Sequence, residues 1–180
     1  TGKLIAEHIG AYSNGYSLGE IIGRGGTSGI GVFSFDFGGF IVDGGHSLKS
    51  KSSFLPSSAS QAKPPQLLAH YDFPDDWEIL LVILDSNNTV NGQKEVNIFQ
   101  DYCPVPKNEV EQTSHIIFMN MIPFLLERDL PAFGHSIDEI QKRGFKNVEV
   151  SLQSQQIRDL MDKLREIGAY GVGMSSFGPT

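Results

Sequence analysis

A glycine-rich stretch near the start of the chain, residues 23–31, contains the residues best suited to chemistry. It reads Gly-Arg-Gly-Gly-Thr-Ser-Gly-Ile-Gly, and an apolar run follows it directly. Glycine lets the backbone approach a ligand closely and adopt positive φ, while a Thr-Ser pair before an apolar run is typical of a helix N-terminus. Backbone N–H groups that converge at a helix N-terminus bind anions. This Gly-rich loop therefore predicts a phosphate-binding site.

One side chain and the backbone of the Gly-rich loop are the predicted phosphate ligands. The Arg24 guanidinium can form two parallel hydrogen bonds to a phosphate. The loop lacks the Gly-Lys-Ser/Thr ending of a Walker A motif, and Ser28 stands where the dinucleotide-binding pattern has its third glycine. The competing interpretation is a tight turn that only packs a helix against a strand. The predicted phosphate-binding residues are Gly23, Arg24, Gly25, Gly26, Thr27, Ser28 and Gly29.

A second turn of small residues, Asp43-Gly44-Gly45-His46, closes the next apolar segment. The Asp43 carboxylate can hold a magnesium ion directly or through water, or it can orient His46, since an imidazole is suited to proton transfer. Asp43 and His46 are therefore the candidate catalytic pair, with Asp43 also the candidate metal ligand. In the competing interpretation Asp43 caps the turn and His46 only packs, and the residues alone leave both open.

The composition excludes several classes of function. With 180 residues the chain can form one domain or two small ones. Its net charge of −7 offers no basic face for nucleic acid. The one cysteine, Cys103, excludes an internal disulfide and favours a reducing, cytoplasmic setting. The longest apolar run, residues 79–84, has the length of a strand and is too short to cross a membrane.

Hydrophobic periodicity predicts helices mixed with short strands, the α+β class. The Ser17-x-x-Glu20 spacing is typical of a capping box and places an N-cap at Ser17. Residues 77–84 are apolar enough for a buried strand. The serine-rich loop, residues 47–65, is expected to be solvated, with contact of its lysines to an anionic ligand as the alternative. Helices are predicted near residues 4–12, 17–22, 28–37, 110–126, 130–142 and 153–167, and strands near 40–42, 66–73, 77–84, 145–150 and 170–174.

Several motifs together resemble one known family. The Gly-rich loop followed by residues 39–47, which read Gly-Phe-Ile-Val-Asp-Gly-Gly-His-Ser, resembles the beta-ribofuranosylaminobenzene 5'-phosphate synthase family. This family belongs to the GHMP superfamily, named for galactokinase, homoserine kinase, mevalonate kinase and phosphomevalonate kinase. Residues 132–150 are similar to the same family, and so is the tail, residues 173–180, which stands at the position of the superfamily's third, glycine-rich motif. The resemblance covers nearly the whole chain.

The resemblance implies a GHMP-kinase-like two-lobed α+β fold. A lobe like domain 2 of ribosomal protein S5 would come first, and a ferredoxin-like lobe second. Residues 1–73 would form part of the first lobe with the phosphate-binding loop, and residues 74–180 the second lobe, truncated in the third motif. The chain is accordingly expected to be an internal fragment, incomplete at both ends. Because the first and third loops meet in the superfamily, the resemblance implies substrate contacts from Ser175, Ser176 and Gly178.

The implied activity is phosphoribosyl transfer, a glycosyltransferase (pentosyltransferase) reaction of tetrahydromethanopterin biosynthesis. Phosphoribosyl pyrophosphate would react with 4-aminobenzoate or 4-hydroxybenzoate, with release of carbon dioxide and pyrophosphate. Donors of the Gly-rich loop would stabilise the charge on the leaving pyrophosphate, with Mg²⁺ as the cofactor. The resemblance leaves the choice of benzoate and the formation of a homodimer open.

Two other functions are compatible with the same residues. An ATP-dependent small-molecule kinase of the GHMP type would use the same loop, with Asp43 as the base. The kinase loop is usually richer in serine and lacks an arginine, so Arg24 favours the transferase. A binding or scaffold domain, in which the loop only packs, is the non-enzymatic alternative.

Overall fold

The computed structural model describes residues 2–10, 14–47, 49–51, 53–56, 59–84, 90 and 92–177. These residues form helices and a two-stranded antiparallel sheet, which confirms the predicted α+β class. The chain divides into two compact units, Thr1–Phe73 with Gly92–Asp101 and Pro74–Asn91 with Tyr102–Thr180. The identities of residues 1–73 and 74–180 as the two GHMP lobes stay a prediction.

The first unit consists of short elements. They are α1 (Gly2–His8), α2 (Gly15–Ile21), α3 (Ile30–Phe37), β1 (Phe40–Asp43), β2 (Leu67–Tyr71) and, as far as Asp101, α4 (Gly92–Tyr102). Helix α3 packs against α2 and β1. The two strands are antiparallel, with Phe40 opposite Tyr71, so the predicted strands near residues 40–42 and 66–73 are confirmed. Buried apolar side chains of this unit include Val32, Phe33, Ile41 and Val42.

Two glycines reverse the chain between α3 and β1. Gly38 and Gly39 both adopt positive φ, 65° and 67°. A side chain on Gly39 would in addition overlap the carbonyl oxygen of Tyr71 on the paired strand. Because glycine alone tolerates both conditions, α3 ends at these residues and the chain passes directly into β1.

Helices α2 and α3 begin differently from the predicted starts. Asn14 caps α2, since its side chain accepts a hydrogen bond from the N–H of Ser17 at 2.8 Å. The predicted capping box at Ser17 is therefore wrong, because an asparagine three residues earlier is at least as good an N-cap. Helix α3 starts at Ile30 with Gly29 as its N-cap, and glycine has no side chain that could cap it.

The predicted long helix over residues 110–126 is present, but one of its turns is widened. The N–H of Ile122 bonds to the carbonyl of Ile117, five residues earlier. Next to it, Pro123 has no N–H to donate to a carbonyl four residues earlier, and such a gap favours a π turn. The successive segments are α5 (Lys107–His115), a π-helical segment (Ile116–Met121) and α6 (Ile122–Glu127).

Three more helices complete the second unit. They are α7 (Leu130–Gln141), α8 (Gly144–Ser151) and α9 (Gln155–Glu166). Asp129 caps α7 and Ser154 caps α9 through side-chain oxygens. One core cluster joins α9 to the third-motif segment, residues 170–177, through Ile157, Met161, Val172 and Met174.

The predicted strand over residues 145–150 is wrong, because these residues lie in α8. Phe145, Val148 and Leu152 recur at the spacing of a helix, while residues 145–150 also alternate as a strand would. A run of six residues is too short to distinguish the helical period from the strand period. Within the helix, Lys146 pairs with Glu149. The ring of Phe145 meets that of Phe177 edge to face, 5.9 Å between centroids.

The other two strands predicted for this unit are also wrong. Residues 77–84 and 170–174 carry no strand pairing within the described part of the chain. Instead of being buried, Ile79, Leu80 and Leu81 are 70–78% exposed. A strand exists only where a second backbone pairs with it, so high apolar content was not sufficient here.

Candidate functional site

The Gly-rich loop uses glycine for two different reasons. Gly23 and Gly25 have positive φ, 69° and 90°, so the backbone turns sharply before α3. Space is the second reason: a Cβ atom on Gly25 would lie 2.9 Å from the Pro64 side chain, and one on Gly29 would lie 2.7 Å from the Phe33 ring. Side chains at these positions would therefore change the path of the loop.

Asp43 ties the end of β1 to the Gly-rich loop. Its Oδ2 accepts a hydrogen bond from the Ser28 hydroxyl at 2.9 Å and another from the Gly29 N–H at 2.8 Å. Its Oδ1 accepts from the Gly45 N–H at 2.9 Å. The strand register shifts between Val42 and Asp43, and such irregularities re-aim side chains at strand ends. The structure thus brings Asp43 and the Gly-rich loop together.

This arrangement places a negative charge at the N-terminus of α3. Gly29 is the N-cap of that helix, and a carboxylate there is favourable because the helix dipole is positive at this end. Asp43 therefore supplies the cap that α3 lacks locally. The N–H of Gly29, assigned from the sequence to a bound phosphate, is engaged by this carboxylate, so an incoming anion would meet the N–H groups earlier in the loop.

His46 is oriented by the backbone rather than by Asp43. Its Nε2 lies 2.8 Å from the carbonyl oxygen of Lys63. Because a carbonyl only accepts, Nε2 carries the hydrogen, and Nδ1 of the neutral ring is left as an acceptor. Lys63 in turn pairs with Glu20 at 2.5 Å, and this hydrogen bond raises the pKa of Lys63. The described residues show no hydrogen bond between Asp43 and His46, so the expected orienting role of Asp43 is not seen.

Arg24 lies exposed beside the first turn of α3. Its N–H donates to the Gly19 carbonyl at 2.8 Å, which anchors the backbone. Its guanidinium lies over Gly31, where an added Cβ would be 3.2 Å from Nη2. Gly31 therefore leaves the space that the arginine side chain occupies. Within the described ranges Arg24 forms no ion pair, so its charge faces outward at the end of the Gly-rich loop.

The serine-rich loop contributes a contact that sequence reasoning missed. The Thr27 hydroxyl donates to the Leu55 carbonyl at 2.9 Å, and the Lys51 ammonium reaches the same region. We expected the lysines of this loop to be solvated, and for Lys51 that is wrong. No local signal could have found this contact, since the run between Ser47 and Pro65 has no periodicity.

The predicted substrate-binding residues of the third motif belong to the second unit. Ser175 and Ser176 are both exposed, and Ser176 has a positive φ of 50°. Gly178 lies outside the described residues. The expected meeting of these residues with the Gly-rich loop stays a prediction.

Side chains, rather than a neighbouring strand, hydrogen-bond to the backbone of the third-motif segment within the described residues. The N–H of Val172 donates to Asp138 Oδ1 and that of Met174 to Gln141 Oε1, both at 3.1 Å. Further along, Gln153 Nε2 donates to the Phe177 carbonyl at 2.6 Å. Polar side chains of α7 and of the turn after α8 therefore bond to backbone groups that would pair with a neighbouring strand in a sheet.

The described residues contain no group of three or more histidine, cysteine, aspartate or glutamate side chains that could hold a metal ion. None of their helices combines the length and apolar character needed to cross a membrane.

The last third of the chain is similar to one known family. Residues 121–180 match the family model described as GHMP kinases C terminal. This match supports the GHMP resemblance drawn from the motifs and covers α6 to α9 together with the third motif.

Three curated proteins are similar to nearly the whole chain. The chain is 54% identical to beta-ribofuranosylphenol 5'-phosphate synthase of Methanothermobacter thermautotrophicus, over 99% of this chain and 54% of that protein. It is 48% identical to the proteins of the same name from Methanocaldococcus jannaschii and Archaeoglobus fulgidus, over 99% of this chain and 54% and 55% of theirs. The chain is therefore similar to these synthases over nearly its whole length, and it spans about half the length of the curated relatives it matches.

Proposed function

We propose that the protein represented by this chain transfers a phosphoribosyl group from phosphoribosyl pyrophosphate to a 4-substituted benzoate. The observation that carries the proposal is the 48–54% identity to three synthases over 99% of the chain. The shared name of these relatives supports the transferase over the ATP-dependent kinase and the scaffold. The anchored Gly-rich loop is consistent with it, because a loop shaped for phosphates can hold a pyrophosphate leaving group.

The name of the relatives also favours one acceptor. In the proposed reaction, a bond forms between the ribose anomeric carbon and the ring carbon that carries the carboxylate. The bond to pyrophosphate breaks, and carbon dioxide leaves with the aromatic system restored, so no oxidant is needed. With 4-hydroxybenzoate the product is a ribofuranosylphenol phosphate, whereas 4-aminobenzoate would give a ribofuranosylaminobenzene phosphate. We therefore propose 4-hydroxybenzoate as the preferred acceptor.

Residues of the first unit would have separate roles in the proposed reaction. Arg24 and the N–H groups between Gly25 and Ser28 would contact the pyrophosphate and stabilise the charge that develops as it leaves. Asp43 holds Ser28 and the start of α3 in place. His46, with Nδ1 as its acceptor, would contact the benzoate or move a proton.

Mg²⁺ is the proposed cofactor, and Asp43 is the residue that would hold it. Mg²⁺ is commonly bound by one or two carboxylates together with phosphate oxygens of the substrate. A single carboxylate beside a phosphate-binding loop fits this mode without a cluster of protein ligands. The ion would neutralise charge on the pyrophosphate. Asp43→Asn should therefore raise the Mg²⁺ concentration needed for half-maximal turnover, as measured by a Mg²⁺ titration of the full-length enzyme.

The finer architecture and the location of the protein are also proposals. We propose a first lobe like domain 2 of ribosomal protein S5 and a ferredoxin-like second lobe, with Ser175, Ser176 and Gly178 close to the substrate. The family match over residues 121–180 supports the second lobe. A cytoplasmic location is proposed because the sequence contains a single cysteine.

One incubation tests the activity. Full-length protein, phosphoribosyl pyrophosphate and Mg²⁺ are mixed with carboxyl-labelled 4-hydroxybenzoate or 4-aminobenzoate, and released carbon dioxide and pyrophosphate are measured. We expect equal amounts of both products, with faster release from 4-hydroxybenzoate. Consumption of ATP without release of carbon dioxide would overturn the proposal in favour of a kinase.

A further inference from the structure

Lys51 makes the most extensive contacts of any cation near the Gly-rich loop. Its Nζ lies 2.6 Å from the Gly26 carbonyl oxygen, 2.6 Å from the Leu55 carbonyl oxygen and 3.2 Å from Thr27 Oγ1. An ammonium has three N–H donors, and these three oxygens lie within hydrogen-bond distance of it. The side chain is partly buried, so a charged group has been taken out of bulk water to make these contacts.

The contact with Gly26 determines the direction of the next N–H group. In a trans peptide the carbonyl of one residue and the N–H of the following residue point in opposite directions. Because Lys51 draws the Gly26 carbonyl toward itself, the N–H of Thr27 points away from the ammonium. Glycine alone would let this peptide rotate readily, so an external contact is needed to hold one orientation.

The same contact holds two segments of the chain together. Thr27 Oγ1 donates to the Leu55 carbonyl while it also accepts from Lys51, so both segments share one hydrogen-bonded group. On the neighbouring residue, a Cβ atom on Gly26 would lie 3.0 Å from that of Ser60, which shows how closely the serine-rich loop approaches. The Gly-rich loop thus depends on a lysine 25 positions away in the chain.

We propose that Lys51 is a positioning residue of the phosphate-binding loop. It holds the peptide between Gly26 and Thr27 with the Thr27 N–H directed at the pyrophosphate of the donor substrate, and its charge adds to the attraction for that anion. The inference rests on the proposed function, because it takes pyrophosphate to be the ligand of the loop.

The test compares two lysines of the same loop in the full-length protein. Lys51→Met removes the ammonium and keeps the length of the side chain. Lys49→Met removes the same charge two residues away, where Lys49 is exposed and its side chain makes no hydrogen bond or ion pair within the described ranges. Binding of inorganic pyrophosphate with Mg²⁺ is measured by calorimetry, and KM is measured for both substrates.

We expect Lys51→Met to weaken pyrophosphate binding about tenfold, the loss typical of one charge-assisted hydrogen bond. KM for phosphoribosyl pyrophosphate should rise in parallel, while KM for the benzoate stays unchanged. Lys49→Met should remain within about twofold of the wild type, since an exposed charge contributes little. A general loss of structure would change KM for both substrates rather than for phosphoribosyl pyrophosphate alone.

Lys51→Arg keeps the test valid if Lys51→Met does not fold. A planar guanidinium cannot match three acceptors arranged around an ammonium, so binding should weaken while the thermal midpoint stays near that of the wild type. If the Lys51 variants bind pyrophosphate as tightly as Lys49→Met does, the positioning role of Lys51 is overturned and the proposed function is not. Wild-type protein that binds no pyrophosphate would overturn the proposed function, and the inference with it.

Discussion

The Gly-rich loop and the third-motif segment are both rich in glycine, yet they use it in opposite ways. In the Gly-rich loop, Gly23 and Gly25 provide positive φ, and side chains from distant positions anchor the turn. In the third-motif segment, Gly171 instead lets the backbone lie against Gly134 of α7. Glycine content alone therefore does not distinguish a ligand-binding turn from a site of close packing.

The contact between Gly134 and Gly171 gives the largest expected effect. Gly134→Ala would place a Cβ atom 2.8 Å from the Gly171 nitrogen and overlap the Tyr170 carbonyl, and backbone atoms cannot move aside cheaply. We expect a loss of about 3 kcal/mol in the free energy of unfolding, measured by chemical denaturation. Gly173→Ala is the matched control, because its Cβ would meet only side-chain atoms at 3.1 and 3.2 Å. A loss for Gly134→Ala no larger than that for Gly173→Ala would contradict this prediction.

His46→Asn should give the next largest effect. If Nδ1 moves a proton, turnover of the full-length enzyme should fall about a hundredfold, with affinity for phosphoribosyl pyrophosphate nearly unchanged. Asparagine keeps an N–H that can donate to the Lys63 carbonyl, so the turn should survive. His135→Asn, at an exposed position on α7, is the control. Wild-type turnover in His46→Asn would mean that the turn at His46 is structural. The contrast between a ligand-binding Gly-rich loop and a packed third-motif segment would then depend on Arg24 and Lys51 alone.

Arg24→Ala tests whether the exposed guanidinium serves the Gly-rich loop. We expect pyrophosphate to bind about tenfold more weakly, which corresponds to about 1.4 kcal/mol. The thermal midpoint should not change, because the side chain is exposed. Gly31→Ala should have a smaller effect in the same direction by displacing the guanidinium. Unchanged affinity in Arg24→Ala would mean that the arginine only packs on α3.

The smallest expected effect is a pH dependence confined to the second unit. Hydrogen bonds from Lys142 and Arg143 lower the pKa of Glu139 from 4.5 to about 2. A carboxylate with a lowered pKa stabilises the fold above its unfolded value, and this contribution disappears as pH falls from 4.5 toward 2. Glu139→Gln should flatten that part of the profile by less than about 1 kcal/mol, as urea titrations would measure. An unchanged profile would show that these surface pairs add no stability.

Local patterns predicted much of the fold, and the errors have a common cause. The helical periods near residues 130–142 and 153–167 and the strands near 40–42 and 66–73 are confirmed. Residues 77–84 failed because strand formation requires a partner backbone, which no local pattern reports. Helix α4 was not predicted, and among its residues only Ile98 is buried.

The sequence by itself determined where the chain must turn and which groups could serve a phosphate. Positive φ and the lack of room for a side chain are local demands that glycine meets, and Arg24, Asp43 and His46 stand beside such glycines. Only the tertiary structure decided which groups meet. Asp43 caps α3, the Lys63 carbonyl orients His46, and Lys51 holds the Gly-rich loop. A hydrogen bond depends on a separation of about 3 Å, and that separation follows from the path of the chain rather than from residue type.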